Sequence, residues 1–178
     1  MIFLPFLGIG QSGLVVSAGV STLKTDYSLI NQSGFWNRGW HLGLTTRLGK
    51  DFWYGKVGLE LHKIELAGNN RIEIFTDVPS AYFLKFPIQI GARIIKLSGF
   101  QLHAMGGLQV TYTAHIDKNP LGLNHGRIRD FTAGWLGNIG IDLGVFTVDV
   151  GYEYGLTELY TDTKYRANYW FISGGFFF

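Results

Sequence analysis

Residues 81–95 read AYFLKFPIQIGARII, and polar and apolar side chains alternate along them with a period of two. One register holds Phe83, Lys85, Pro87, Gln89, Gly91 and Arg93; the other holds Tyr82, Leu84, Phe86, Ile88, Ile90, Ala92 and Ile94. Successive side chains of a strand point to opposite faces, so this is a strand with one polar and one apolar face. Wound as a helix, the same stretch would mix Lys85, Gln89 and Arg93 with Ile and Phe on one face.

The comb recurs along the chain. His41, Gly43, Thr45 and Arg47 alternate with Trp40, Leu42, Leu44 and Leu48, and Lys56, Glu60 and His62 with Val57, Leu59 and Leu61. Gln101, His103, Met105, Gln109, Thr111, Thr113 and His115 oppose Phe100, Leu102, Ala104, Leu108, Val110, Tyr112 and Ala114. Thr132, Asn138 and Asp142 oppose Phe131, Trp135, Ile139 and Ile141, and Thr147, Asp149, Gly151 and Glu153 oppose Phe146, Val148, Val150, Tyr152 and Tyr154. With less polarised segments at 13–22 and 168–178, eight strands are expected. Tight glycine turns fall at 49–51, 97–99 and 142–144, and long polar connections at 23–35, 67–80, 116–126 and 160–167. Short and long connections in alternation are the pattern of outer-membrane barrels.

Composition decides which face points out. Only 16% of the 178 residues are charged, against roughly a quarter in soluble domains, and no apolar run reaches the ~18 to 20 residues of a spanning helix. A lipocalin-like soluble barrel, which "GW" at Gly39 and Trp40 faintly resembles, would need an exterior rich in Lys and Glu. Here the polar face is mostly Gly, Thr, Ser, Gln and Asn, which suits a confined lumen. Trp36, Trp40, Phe52, Trp53, Tyr82, Phe100, Tyr112, Phe146, Tyr154 and Trp170 gather at strand ends, where headgroups meet a barrel wall. The expected fold is therefore an all-β, eight-stranded, antiparallel, up-and-down transmembrane β-barrel, with short periplasmic turns, longer extracellular loops and both termini periplasmic. Residues 11–178 form this single domain, and residues 1–10 read as a signal-peptide remnant or a periplasmic arm. Pro87 removes a ladder donor from a barrel without edges, so a local bulge is expected there.

A net charge of +2 and the lack of basic runs interleaved with aromatics argue against nucleic acid. Absence of cysteine permits an oxidising compartment without requiring it. The inward set Arg47, Lys56, Glu60, Lys85, Gln89, Arg93, Asp142, Asp149 and Glu153 is expected to pair across a narrow lumen as a polar plug, with a proton or ion path as the alternative. His62, His115 and His125, with Asp117 and Ser80, are expected near the outer rim, where a lipid-modifying enzyme would hold its catalytic groups. No nucleophile elbow or paired His ligands accompany them, so no catalytic, cofactor or metal site is assigned. "GIGQSG" at 8–13 matches G-x-G-x-x-G without a following helix, and "DKNP" at 117–120 and "TDTK" at 161–164 read as turns. Outward-facing Ala104, Gly106, Ala133 and Gly137 leave room for another membrane protein or for lipid chains. Phe178 ends the last strand with an aromatic, the form of signal that outer-membrane barrels present to their assembly machinery.

"YFLKFPIQIGARI", "GVSTLKTDYS", "WHLGLTTRLGKDFWYGKVGLELHKIEL" and the closing "DVGYEYGLTELY...NYWFISGGFFF" resemble the strands of the PorT-like, outer-membrane β-barrel domain proteins of the Bacteroidetes. The resemblance implies a signal-bearing eight-stranded barrel in the outer membrane of a Gram-negative cell, and its namesake member is tied to type IX secretion. It supplies no catalytic residue. The function expected is a non-enzymatic scaffold or accessory subunit of an outer-membrane machine of the secretion or barrel-assembly class, in contact with lipid and a larger membrane protein. The alternatives are a rim-sited lipid-modifying enzyme and a surface adhesin or ligand-capture barrel using its long loops.

Overall fold

In a computed structural model of the chain, which describes residues 13–25, 37–49, 51–65, 79–118, 124–161 and 166–178, the polar register of residues 81–95 turns inward. Lys85, Gln89 and Arg93 are 1%, 2% and 5% exposed, whereas Ile88 and Ile90 between them are 60% and 68% exposed. Eight strands carry this alternation: β1 (Gly13–Thr25), β2 (Asn37–Leu48), β3 (Trp53–Glu65), β4 (Ser80–Leu97), β5 (Phe100–Ile116), β6 (Phe131–Leu143), β7 (Phe146–Glu158) and β8 (Arg166–Phe177). Each pairs antiparallel with its sequence neighbours, and β8 returns to β1 from Val15↔Phe177 to Thr25↔Ala167, closing the barrel. Closure gives every strand a partner on both sides, the condition for a sheet to cross hydrocarbon. The fold is a transmembrane β-barrel with its apolar face outward.

Three short turns close one end, and each places a glycine at positive φ: Gly49 at 124°, Gly99 at 78° and Gly144 at 60°. The last falls after Leu143, so β6 runs one residue past the expected turn. One hydrogen-bonded row from Gly13 passes Arg47, Lys56, Gln89, Gly107, Leu136, Glu153 and Tyr169, and meets β1 again at Leu23. The strands are thus staggered by ten residues (23 − 13) around the circuit, which sets their tilt.

Two features differ from the sequence reading. Pro87 makes no bulge: it stays in register opposite Gln109, and β4 is instead irregular against β5 between Tyr82/Phe83 and between Arg93/Ile95. Against β3 the proline shows only as a gap between the pairs Val57↔Ile88 and Glu60↔Lys85, with register unchanged across it. The ladder absorbs the missing N–H by leaving rungs unmade. Secondly, the interior is not polar throughout. At the long-connection end Leu23, Ile64, Ala81, Phe83, Ile128, Leu159, Tyr160, Ala167 and Tyr169 form an apolar core. Ile128 and Tyr160 form a bridge there, flanked on its two sides by hydrogen bonds from Arg129 N to Leu159 O and from Thr161 N to Arg127 O, both 2.9 Å.

Candidate functional site

Beneath the apolar core the lumen is built from the polar registers of the strands. Arg47 of β2 reaches across to β6, where its Nη1 donates to both oxygens of Asp142 at 3.0 and 2.9 Å. Its Nη2 donates to Thr147 Oγ1 at 3.2 Å and lies 3.7 Å from Asp149. His103 of β5 joins the two carboxylates, 2.9 Å from Asp149 and 3.4 Å from Asp142. Asn138 donates to Asp149 at 2.7 Å and accepts from Gln89 at 2.6 Å. Beside this cluster Lys85 meets Glu153 at 2.5 Å with its ammonium over the Tyr169 ring. Glu60 takes Lys56 at 3.9 Å and His62 at 3.1 Å, and His62 stacks on His41 with ring centroids 4.8 Å apart.

Among the described residues, the lumen cations Arg47, Lys56, Lys85 and Arg93 face the carboxylates Glu60, Asp142, Asp149 and Glu153, a balanced set. Balance matters because a buried charge without a partner costs several kcal/mol. Space is as closely matched as charge. A β-carbon at Gly140 would stand 2.5 Å from Asp149 Oδ1 and 2.7 Å from His103 Nε2. Between the Glu60 and Arg47 groups lies a polar cavity of about 10 Å³, on the order of one water.

Arg93 differs from its companions. It lies over the Tyr54 ring at 4.6 Å and donates to the carbonyl oxygens of Gly49 and Asp51, clamping the turn between β2 and β3. Reading by formal charge missed His41, His103, Asn138, Thr147, Tyr54 and Tyr169 as members of the network. All but Tyr169 fall on the inward positions of combs visible in the sequence, and parity alone places them.

The rim residues do not converge. His62 is inside the lumen, His115 pairs with Asp117 at 3.3 Å, and His125 pairs with Asp130 at 2.9 Å. Ser80 meets Asp117 through its backbone, donating to the carboxylate at 3.0 Å. Phe178 is 73% exposed, in edge-to-face contact with Phe176 at 5.0 Å between ring centroids. Residues 1–10, Trp36 and most of the two sequences read as turns lie outside the described residues.

Outside, the small residues separate into two kinds. Ala104 is paired with Ala92 and Ile139, and Ala133 with Val110, so each has a branched side chain beside it. Gly106 and Gly137 are directly opposite each other and floor an apolar groove of about 650 Å³ walled by Ile88, Ile90, Leu108, Trp135, Tyr152 and Tyr154. A β-carbon on Gly106 would meet nothing within 4 Å, and one on Gly137 only a carbonyl oxygen at 4.0 Å. Neither glycine is required by packing within the barrel.

With the geometry in place, comparison gives the fold its relatives. No protein-family pattern matches the sequence, and no curated protein matches it. Among solved structures the chain is similar to Neisserial surface protein A, NspA, at 13% identity over 94% of this chain and 98% of that one, with a TM-score of 0.52. It is also similar to Ail, the attachment invasion locus protein of Yersinia pestis, crystallised with the heparin analogue sucrose octasulfate: 14% identity, 94% and 100% coverage, TM-score 0.46. Ail in a phospholipid bilayer nanodisc, where it is described as an outer membrane protein, gives 16% identity, the same coverage and a TM-score of 0.41. At these identities the likeness is one of fold.

Proposed function

We propose that this chain is a non-conducting, non-enzymatic barrel of a Gram-negative outer membrane, with both termini periplasmic, serving as a scaffold or accessory subunit of a larger outer-membrane machine. The class follows the PorT-like resemblance of its strand motifs, namely secretion or barrel assembly. The observation that carries the reading is the groove over Gly106 and Gly137. A strand-interior glycine costs about 0.5–1 kcal/mol relative to alanine, and this pair has no steric reason inside the barrel. A neighbour pressed against the wall supplies one, since association in lipid depends on close van der Waals approach. A lumen filled by paired ions leaves the outer wall and the rim as working surfaces.

The test is capture of the tagged chain from its native outer membrane in mild detergent. A larger membrane protein should accompany it in fixed stoichiometry and be lost when Gly106→Leu and Gly137→Leu fill the groove. Purification alone in every detergent would overturn the reading. A second reading, ligand capture at the rim, is favoured by the ordered segment 124–130, where Asn124 Oδ1 accepts from Gly126 N at 2.9 Å and His125 holds Asp130. Its test is deletion within residues 116–126, which would abolish binding to a host or glycan surface and spare the groove-dependent partner.

A further inference from the structure

Among the described residues, four cations near the long-connection ends of β8, β1, β2 and β3 remain unused by either reading. Arg166 on β8, Lys24 on β1, Arg38 on β2 and Lys63 on β3 occupy successive strands and share the outward register with Trp170, Thr22 and Trp40. Lys24 and Arg166 are exposed, and Arg38 and Lys63 half-buried. Lys24 is opposite Asn168, Thr22 opposite Arg38, and Trp40 opposite Lys63, so each cation stands two residues below its predecessor along the hydrogen-bonded rows.

The stagger turns that diagonal into a belt. Ten residues over eight strands make a row climb 1.25 residues per strand, so a drop of two per strand nearly cancels the climb. At about 3.3 Å per residue and the usual tilt, the four stand within about 6 Å of one height. They spread over about 24 Å of wall, three strand spacings across and six residues along the strands. Trp40 and Trp170 lie just below, at the depth where aromatic rings mark the headgroup boundary. The other half of the wall differs at this height, with Tyr82, Tyr112, Phe131 and Leu156 facing outward on β4 to β7. Among the described residues, two carboxylates border the arc: Glu65 at the end of β3, and Glu158 opposite Arg166, bonded to Arg129 at 3.1 Å.

We infer that this arc is a binding site for a lipid headgroup carrying more than one phosphate, seated against β8, β1, β2 and β3 at the long-connection end. The side chains project from the wall into the headgroup layer rather than over the barrel mouth, which selects a membrane lipid over a soluble polyanion. Guanidinium and ammonium groups match phosphate chemistry, and the width of the arc exceeds what one phosphate spans. Two of the cations are braced by rings of the belt: Arg166 donates to Tyr154 Oη at 3.1 Å, and Lys63 lies 6.0 Å from the Tyr82 ring. The inference rests on the barrel lying in a membrane and is independent of docking at the glycine groove.

The full chain is refolded into phosphatidylcholine nanodiscs containing a minority of diphosphorylated lipid A, and the lipid retained by the protein after extraction is counted by native mass spectrometry. Each cation near a charged headgroup layer contributes about five-fold in binding. The quadruple variant K24Q/R38Q/K63Q/R166Q is therefore expected to retain lipid A at least ten-fold less well than the parent. The rim variant K118Q/R127Q should match the parent, and soluble inositol hexakisphosphate should not displace the lipid. If the quadruple variant misfolds, shown by loss of its heat-dependent gel shift, the pairs K24Q/R38Q and K63Q/R166Q replace it, each expected to lose several-fold. Equal retention by the arc variants, equal loss in K118Q/R127Q, or displacement by the soluble polyanion would each overturn the proposal.

Discussion

Asp142 shows how much one inward side chain commits the chain to. It accepts two hydrogen bonds from Arg47 and faces His103 at 3.4 Å, with Asp149 completing the group. Asp142→Ala leaves a guanidinium buried without its main partner, which typically costs about 3–5 kcal/mol. The double variant R47A/D142A removes both charges and should recover more than half of that loss. Urea unfolding in detergent micelles checks the difference, and a double variant no better than D142A would show that the pair is not coupled. Glycines give a matching contrast. Gly140→Val drives a side chain into Asp149 and His103 and should unfold the barrel at lower urea, whereas Gly106→Leu points into open space and should raise the unfolding free energy by up to about 1 kcal/mol, the cost of a glycine inside a strand. At this scale the sequence was legible in parity and opaque in partnership. The comb assigns Arg47 and Asp142 to the inside, yet they are 95 residues apart, and only the stagger brings them together.

Element β4 holds both the clearest sequence signal and the clearest misreading. Its alternation marked a strand with one polar and one apolar face, composition turned the polar face inward, and the register is then pinned because a one-residue slip would put Lys85 in lipid and Ile88 in the lumen. Pro87 was read as a bulge from local chemistry alone. In the barrel the neighbours on both sides hold register, and the missing N–H costs rungs toward β3 rather than an extra residue. The irregularities against β5 fall instead at Tyr82/Phe83 and Arg93/Ile95, toward the ends of a hairpin longer than its neighbours. Restoring a donor with Pro87→Val, a side chain that suits the buried site, should stabilise the barrel by about 1 kcal/mol. Amide hydrogen exchange in β3 around Gly58 and Leu59 should slow, and the register should stay as it is. Faster exchange there would mean that the proline organises this part of the ladder instead of interrupting it.

For the whole molecule, the interior is closed twice, in series. The apolar core takes Leu23 and Ile64 from strand ends and Ile128, Leu159 and Tyr160 from the connections, and below it stands the network from Lys85 and Glu153 to Arg47 and Asp142. The sequence announced only the lower layer. Residues contributed by connections carry no period of two, so nothing in the comb marks Ile128 or Tyr160 as interior. Two barriers in series make a specific prediction for reconstituted planar bilayers. The parent should show no unitary conductance steps. Opening the upper layer alone, with Ile128→Ser and Tyr160→Ser, should leave the bilayer silent, because ions still meet closely packed, charge-balanced side chains and a cavity of about 10 Å³. Opening the lower layer alone, with Arg47, Lys85, Asp142 and Glu153 all replaced by alanine, should also be silent, because an apolar constriction excludes hydrated ions. Only the combined variant should conduct. Steps from either variant alone would show that a single layer holds the seal and that the other serves packing.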